Sequence, residues 1–419
     1  MTKDIMQRVS PEEGGAVNFS YRLAISVFFL SLLLLGFSQQ PLTAGPVSEF
    51  ANRHAVGCAL PLSGRFAEEG KKAQDAVMLS ARQFRARSPF SPRIVTADSG
   101  ANPAMMKKAI ASLADEENVV AIIAVSGAAE AEAAAVEAGN RRVPVILITS
   151  KEGVTETGDQ VFQHFLTREQ QVKAVTEYAV HSLQITVFCT LYPKDHYGEE
   201  MSRLFCAEVQ KRGGSVVQSV PYDMTQTDFR QQIQKLAAEK DQISQIIDAR
   251  DGGRSGAIPV GFEGLFIPDS AFRVRMIAAQ LAFYNVRGLQ IFGTSLWNSP
   301  DLLRQRSDYV EGAFFVDSFH ARGLAPETVN FADAYRAVYN REPQTMEALA
   351  YDTMKLALSI LEDPGIATRN GFASALLATK NFQGATGNIS FGGNRVARKE
   401  AVILKVQGGE IVQVMGNRD

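Results

Sequence analysis

The stretch VVAIIAV, residues 119–125, places seven apolar residues in a row, and VPVILI, residues 143–148, repeats the pattern. Runs this short and continuous are expected of strands covered by helices on both faces of a parallel sheet. A strand with one wet face would alternate apolar and polar residues instead. Working outward, further strands read at Ala55–Leu60, Arg93–Ala97, Thr186–Leu191, Ser215–Val220, Gly264–Ile267, Gln290–Gly293 and Ala313–Val316. Segments with apolar residues three and four apart lie between them: Ala73–Phe84, a helix opened by Pro103 with Asn102 as its cap, Glu169–Leu183, Glu199–Arg212, Asp228–Lys240 and Ala271–Phe283. This alternation predicts an α/β fold of parallel strands joined by helical crossovers. Pro326–Leu361 breaks the beat with two successive helices. The final segments, Ala401–Leu404 and Glu410–Met415 around Gly408-Gly409, read as a hairpin. The glycine-rich stretches Arg250–Gly261 and Phe382–Asn394 read as long loops that turn chemistry alone explains.

Composition bounds the function. At 419 residues, 46% hydrophobic and 21% charged, the chain can bury a large core, and two lobes are the natural expectation. A net charge of -2 without a concentrated basic block argues against a nucleic-acid partner. Residues 23–37 (LAISVFFLSLLLLGF) form an apolar run that suits a signal-peptide core better than a membrane span of about 20 residues. Residues 1–44 are therefore expected to be a signal-peptide region, cut after Ala44, with a periplasmic or other extracytoplasmic destination; a retained anchor is the competing reading. Asp4, Glu12 and Glu13 are out of place in a positive leader, and a start at Val17 would leave a short one ending at Arg22. No cysteine follows the run to accept a lipid, so a soluble mature protein is expected. Cys58, Cys189 and Cys206 are an odd set: either Cys189 and Cys206 pair, or all three are small buried thiols. Nothing in the spacing suggests a metal site or a cofactor.

Separated segments together carry a resemblance: Leu60-Pro61-Leu62-Ser63-Gly64 before Gly70 and Gln74-Asp75-Ala76, Asp98 with Asn102-Pro103, Val143-Pro144-Val145 leading to Ser150, Asp195-His196-Tyr197-Gly198, Gly213-Gly214, Val310-Glu311-Gly312-Ala313, Tyr351-Asp352 and Phe382-Gln383-Gly384-Ala385-Thr386-Gly387. In order and spacing they resemble the type I periplasmic solute-binding proteins, especially the branched-chain amino-acid receptors of ABC importers. The chain is also similar to penicillin-binding-protein activators of the same fold. The resemblance implies two doubly wound parallel-sheet lobes joined by three crossings, one of residues 55–166 plus 320–397 and the other of residues 167–319 plus 398–419. A ligand between them would lie at the carboxyl ends of the strands.

The resemblance also points to contact residues. Such receptors hold a ligand carboxylate with hydroxyls and N–H groups on two loops, which here are Ser126-Gly127-Ala128-Ala129, poor in hydroxyls, and Thr149-Ser150-Lys151-Glu152-Gly153. Ser126, Gly127, Ser150 and Lys151 are the candidates there, with Lys151 and Glu152 read either as ligand partners or as solvated charges. Glu69 stands where an aromatic ring is common. Tyr197 matches the cleft tyrosine, with interlobe packing as its alternative role. Asp269 follows a predicted strand end and reads as an ammonium partner or a helix cap, while Ser295 and Trp297 follow another, the indole being a wall or a plug. The histidines at 54, 164, 181, 196 and 320 form neither a metal pair nor a nucleophile elbow, so a non-enzymatic binding role is expected. The expected partners are a small polar ligand, such as an amino acid, and the membrane subunits of an ABC importer; the activator-like alternative replaces both with a cell-wall synthase.

Overall fold

Every residue of Val119–Val125 is buried, as a strand covered on both faces must be. It forms β3 of a parallel sheet with β1 (Asn52–Leu60), β2 (Arg93–Asp98), β4 (Val145–Ile148) and β5 (Val161–Gln163), in the order β2-β1-β3-β4-β5. The computed structural model describes residues 51–238, 261–304 and 307–414, all within one compact unit. Side chains along β1 alternate by face. Val56, Cys58 and Leu60 pack towards α1 (Ala67–Arg87), and Ala55 and Ala59 pack towards α2 (Pro103–Asp115) and α3 (Ala128–Asn140).

The second sheet begins with β6 (Val187–Pro193), β7 (Ser215–Tyr222), β8 (Gly264–Phe266), β9 (Gln290–Phe292) and β10 (Phe314–Asp317). Helices α4 (Arg168–Glu177) and α5 (His196–Lys211) cover one face, and α6 (Arg230–Ala238) and α7 (Ala271–Phe283) the other. The chain then returns to the first sheet. Helices α8 (Pro326–Tyr339), α9 (Thr345–Leu361) and α10 (Arg369–Ala378) contribute Phe331, Leu349 and Phe372 to the core that contains Val56 and Ile123. A small antiparallel sheet of β11 (Phe382–Gly384), β12 (Gly387–Ser390) and β13 (Arg398–Lys399) follows. Finally β14 (Val402–Gln407) and β15 (Glu410–Val414) form a hairpin on the edge of the second sheet, giving the order β15-β14-β10-β9-β8-β6-β7.

Several sequence expectations need revision. Ala128-Ala129 is not loop: alanine has the highest helix propensity, and the alanine-rich stretch after Gly127 is helical from Ala128. Strand β5 and helix α10 were not anticipated, because three residues and ten residues leave little periodicity to read. Part of Phe382–Asn394 pairs as the β11–β12 hairpin, with Gly387 at φ +81°, a left-handed conformation that favours glycine. The expected helix to Leu183 ends its regular part at Glu177 and continues as a wider turn over Tyr178–Ser182. Cys58, Cys189 and Cys206 form no disulfide, so no bridge joins Cys189 to Cys206. The leader at 1–44 and the stretch Arg250–Val260 lie outside the described residues. Among the described residues no helix is long and apolar enough to cross a membrane.

Trp297 belongs to this core and not to a ligand wall. It is fully buried, lies 5.9 Å from the Phe315 ring, and sits so close to Gly293 that a Cβ there would collide with the indole. Gly293→Ala should therefore lower the unfolding free energy by about 1–3 kcal/mol through overpacking. Urea titration followed by the fluorescence of this single tryptophan checks it, and an unchanged midpoint would contradict the packing described.

Candidate functional site

In open α/β sheets, side chains and N–H groups converge beyond the carboxyl ends of parallel strands, since the strands stop there and loops take over. The loops after β4, β5, β6, β8 and β9 together enclose a cavity of about 430 Å³, with Ser150 and Glu152 on one wall, Gln163, Phe165 and Arg168 along the connection between the sheets, and Asp195, Tyr197, Asp269 and Ser295 on the other. That volume suits a small metabolite. A hollow of about 480 Å³ between α4 and Arg398–Ile403 touches none of these strand ends.

Each wall is built by local backbone chemistry. Asp195 caps α5 by accepting the Gly198 N–H at 2.7 Å, which directs Tyr197 from the first turn into the cavity. The Tyr197 hydroxyl donates to Thr294 Oγ1 at 3.1 Å, and burial pushes its phenol up to about 12, so it stays a neutral donor at physiological pH. Thr167 opens α4 through a capping box with Gln170. Arg168, next in sequence, lies over the Tyr197 ring at 5.5 Å, pairs with Glu200 and sits 3.8 Å from Glu152. Tyr222 Oη donates to Asp269 Oδ2 at 2.5 Å, and burial beside that carboxylate raises the phenol well above its ordinary range. Ser295 N–H donates to Gln171 Oε1 at 3.0 Å. Gln163 Nε2 donates to the carbonyls of Thr149 and Lys151 at 2.8 and 2.9 Å, holding the loop that carries Ser150.

Of the nine residues singled out in the sequence, Ser150, Tyr197, Asp269 and Ser295 line this cavity. The other five are placed elsewhere. Glu69 is exposed in the first turn of α1. Lys151 turns outward to pair with Glu132 of α3 at 2.7 Å. Gly127 is the residue before α3, and Ser126 Oγ is buried beside it without a hydrogen-bond partner. Trp297 is core. Arg168, Gln171 and Gln163 were missed. The capping box Thr167-x-x-Gln170 was the signal that could have fixed where α4 starts and which side chain its first turn presents.

Behind the cavity, where the chain passes between the sheets, lies a buried polar network. His164 follows β5, Lys399 closes β13 and Asp317 ends β10. Lys399 Nζ donates to His164 Nε2 at 3.0 Å and to Thr386 Oγ1, which in turn donates to Asp352 Oδ2 at 2.6 Å. Asp352 also accepts the N–H groups of Ala385 and Thr386 at 2.7 and 2.8 Å. Thr353 Oγ1 donates to the Leu349 carbonyl, so it accepts from His164 Nδ1 at 2.8 Å, leaving Nε2 as the acceptor for Lys399. Burial, and then the Lys399 charge, hold His164 well below its ordinary range. Burial lowers Lys399 to about 8 and raises Asp352, while the charge of each opposes that shift in the other. Asp317, fully buried, is raised to about 6 although it accepts from Asn298 and Thr345 at 2.7 Å each. Among the described residues no cluster of three or more metal-ligating side chains occurs.

The family model described as periplasmic binding protein matches residues 55–410. The chain belongs to that family. Its members are solute-binding receptors of the periplasm or cell exterior, not enzymes. A putative branched-chain amino acid ABC transporter protein from Rhodospirillum rubrum superposes with a TM-score of 0.76 at 20% identity, over 86% of this chain and 99% of that one. The branched-chain amino acid transporter substrate-binding protein of Streptococcus pneumoniae, solved in complex with isoleucine, gives 0.63 at 21% identity over 86% and 99%. A solute-binding protein of Rhodopseudomonas palustris in complex with 3,4-dihydroxybenzoic acid gives 0.65 at 20% over 86% and 96%. At these identities the likeness is one of fold. No curated protein matches the sequence.

The network makes stability pH-dependent with opposing signs. The unfolded chain protonates His164 below about 6.5 while the folded chain resists, so this residue lowers stability as pH falls. Asp317 takes up its proton near 6 when folded but only near 3.8 when unfolded, so it adds stability as pH falls between those values. Urea midpoints measured from pH 7 to 4 should fall less steeply in His164→Gln and more steeply in Asp317→Asn than in the parent. Lys399→Ala, which strands Asp352 in the core, should cost about 3–5 kcal/mol at pH 7 in the same assay.

Proposed function

We propose that this protein is the extracytoplasmic receptor of an ABC importer, closing on a small polar metabolite held between two lobes. The observation that carries it is the cavity at the carboxyl strand ends, whose walls come from both sheets. Residues 55–166 with 320–397 would form one lobe and residues 167–319 with 398–419 the other. His164, Asp317 and Lys399 would then mark the three places where the chain passes between them. Closure would be driven by the ligand's higher affinity for the closed state, and the closed surface is what the importer's membrane subunits would read. Residues 1–44 would direct export. Ser150, Tyr197, Asp269 and Ser295 are the proposed ligand contacts from both sides. Neither the family match nor the neighbours named above support a cell-wall synthase as partner.

Mass spectrometry of the purified native protein should release a bound small molecule of one chemical class. Returned at about 100 times its dissociation constant, that molecule should stabilise the protein by about 2.7 kcal/mol. Tyr197→Ala should weaken its binding at least tenfold in calorimetry while leaving the circular dichroism spectrum unchanged. A native protein that carries nothing, and no stabilisation by any compound of a metabolite library, would count against the receptor role.

A further inference from the structure

The helix ends around the cavity bear on what it takes. A helix presents unpaired N–H groups and partial positive charge at its amino end, the ordinary seat for a ligand carboxylate or phosphate. Three helices start in the cavity wall and a fourth, α3, starts at the neighbouring strand end. The three in the wall are already capped by side-chain oxygens of the chain itself, and an acidic side chain stands at the fourth. At α4, Glu152 Oε1 accepts the Arg168 N–H at 2.9 Å beside the Thr167 capping box. At α5, Asp195 is the cap. At α7, Ser270 caps and Asp269 stands at the mouth. At α3, Glu130 is buried in the first turn and folds back so far that a Cβ on Gly127 would lie 2.8 Å from its Oε2.

The fixed charges agree with the helix ends. Among the described residues, Glu152, Asp195 and Asp269 line the cavity against one cation, Arg168, which Glu200 and Glu152 already engage. Arg273 lies 3.8 Å from Asp269 but donates to the carbonyls of Met224 and Gln226. Lys151 is held outside by Glu132. A ligand carboxylate would therefore meet closed helix ends and an excess of negative charge. A ligand cation would meet three carboxylates, each with lone pairs to spare.

We infer that the cleft selects a cationic ligand, an amine or amidine without a free carboxylate, seated between Glu152, Asp195 and Asp269. This rests on the reading of the cavity as a solute site. The requirement separates it from the neighbours solved with isoleucine and with 3,4-dihydroxybenzoic acid, both of which carry a carboxylate.

Matched pairs test the inference on the purified protein: agmatine against arginine and cadaverine against lysine, with isoleucine and benzoate alongside, all by calorimetry. At least one amine should bind ten times more tightly than its carboxylated partner, and more weakly as salt is raised. Asp269→Asn should reduce that affinity at least tenfold with an unchanged circular dichroism spectrum. Glu152→Gln is the second variant, should loss of the Tyr222 contact prevent the first from folding. Equal or tighter binding of arginine, lysine, isoleucine or benzoate would overturn the inference and leave the receptor reading standing, as would a carboxylate found bound to the native protein. Silence of every probe would also overturn it, and if the native protein carried no small molecule either, the receptor reading would fall with it.

Discussion

A buried ammonium has to be answered, and in this fold the answer holds the long-range architecture together. Lys399 sits with almost no exposure at the end of β13, and its hydrogen-bond partners come from the connection after β5 and from the loop after β11. Behind Thr386 stands Asp352 of α9. Three segments far apart in sequence are thus pinned by one chain of donors and acceptors. Each member is tolerable only because the others are present, since a lone buried charge would be costly. The network lies where the chain passes between the sheets, so the geometry of that passage is fixed by polar contacts of defined direction, whereas apolar packing would leave more freedom to slide.

The cavity stands on the same footing. Its residues sit at the starts of helices whose caps fix the first turn, so Tyr197, Arg168 and Asp269 are placed by hydrogen bonds measured a few residues away. Arg168 is the clearest case: its N–H reaches Glu152, its guanidinium reaches Glu200, and its plane lies over Tyr197. One side chain therefore joins the loop after β4 to the first turn of α5, and it does so inside the space that a ligand would enter.

Much of the fold was legible in the sequence because burial on both faces writes a strong signal. β3 was bounded to the residue and α7 likewise, each flanked by turn residues or a capping serine. The short strand β5 and helix α10 were not, for want of length. The site was harder to read. Positions after strands could be named, which is how Ser150, Tyr197, Asp269 and Ser295 were found, but the direction of a side chain depends on partners distant in sequence. Lys151 could be read as a ligand partner or a solvated charge, and the structure pairs it with Glu132 of α3; Trp297 could be read as a wall or a surface plug, and the structure encloses it between Gly293 and Phe315. The central network was invisible for the same reason: His164, Asp352 and Lys399 share no local pattern.

The first sheet also sets a timetable for folding. One of its faces is covered by α1 together with α8, α9 and α10, and the guanidinium of Arg53 donates to the carbonyl of Leu361, 308 residues further along. Phe162 of β5 likewise waits for Phe391, which meets it edge to face at 5.7 Å. The amino-terminal strands leave the ribosome long before their cover does, and contacts of such separation form late and slowly. Until then α1 covers that side of the nascent chain only in part, leaving it exposed to aggregation and open to chaperones. A chain that cannot finish its core early stays pliable for longer, a property of use to an extracytoplasmic family whose members must pass a membrane before they fold.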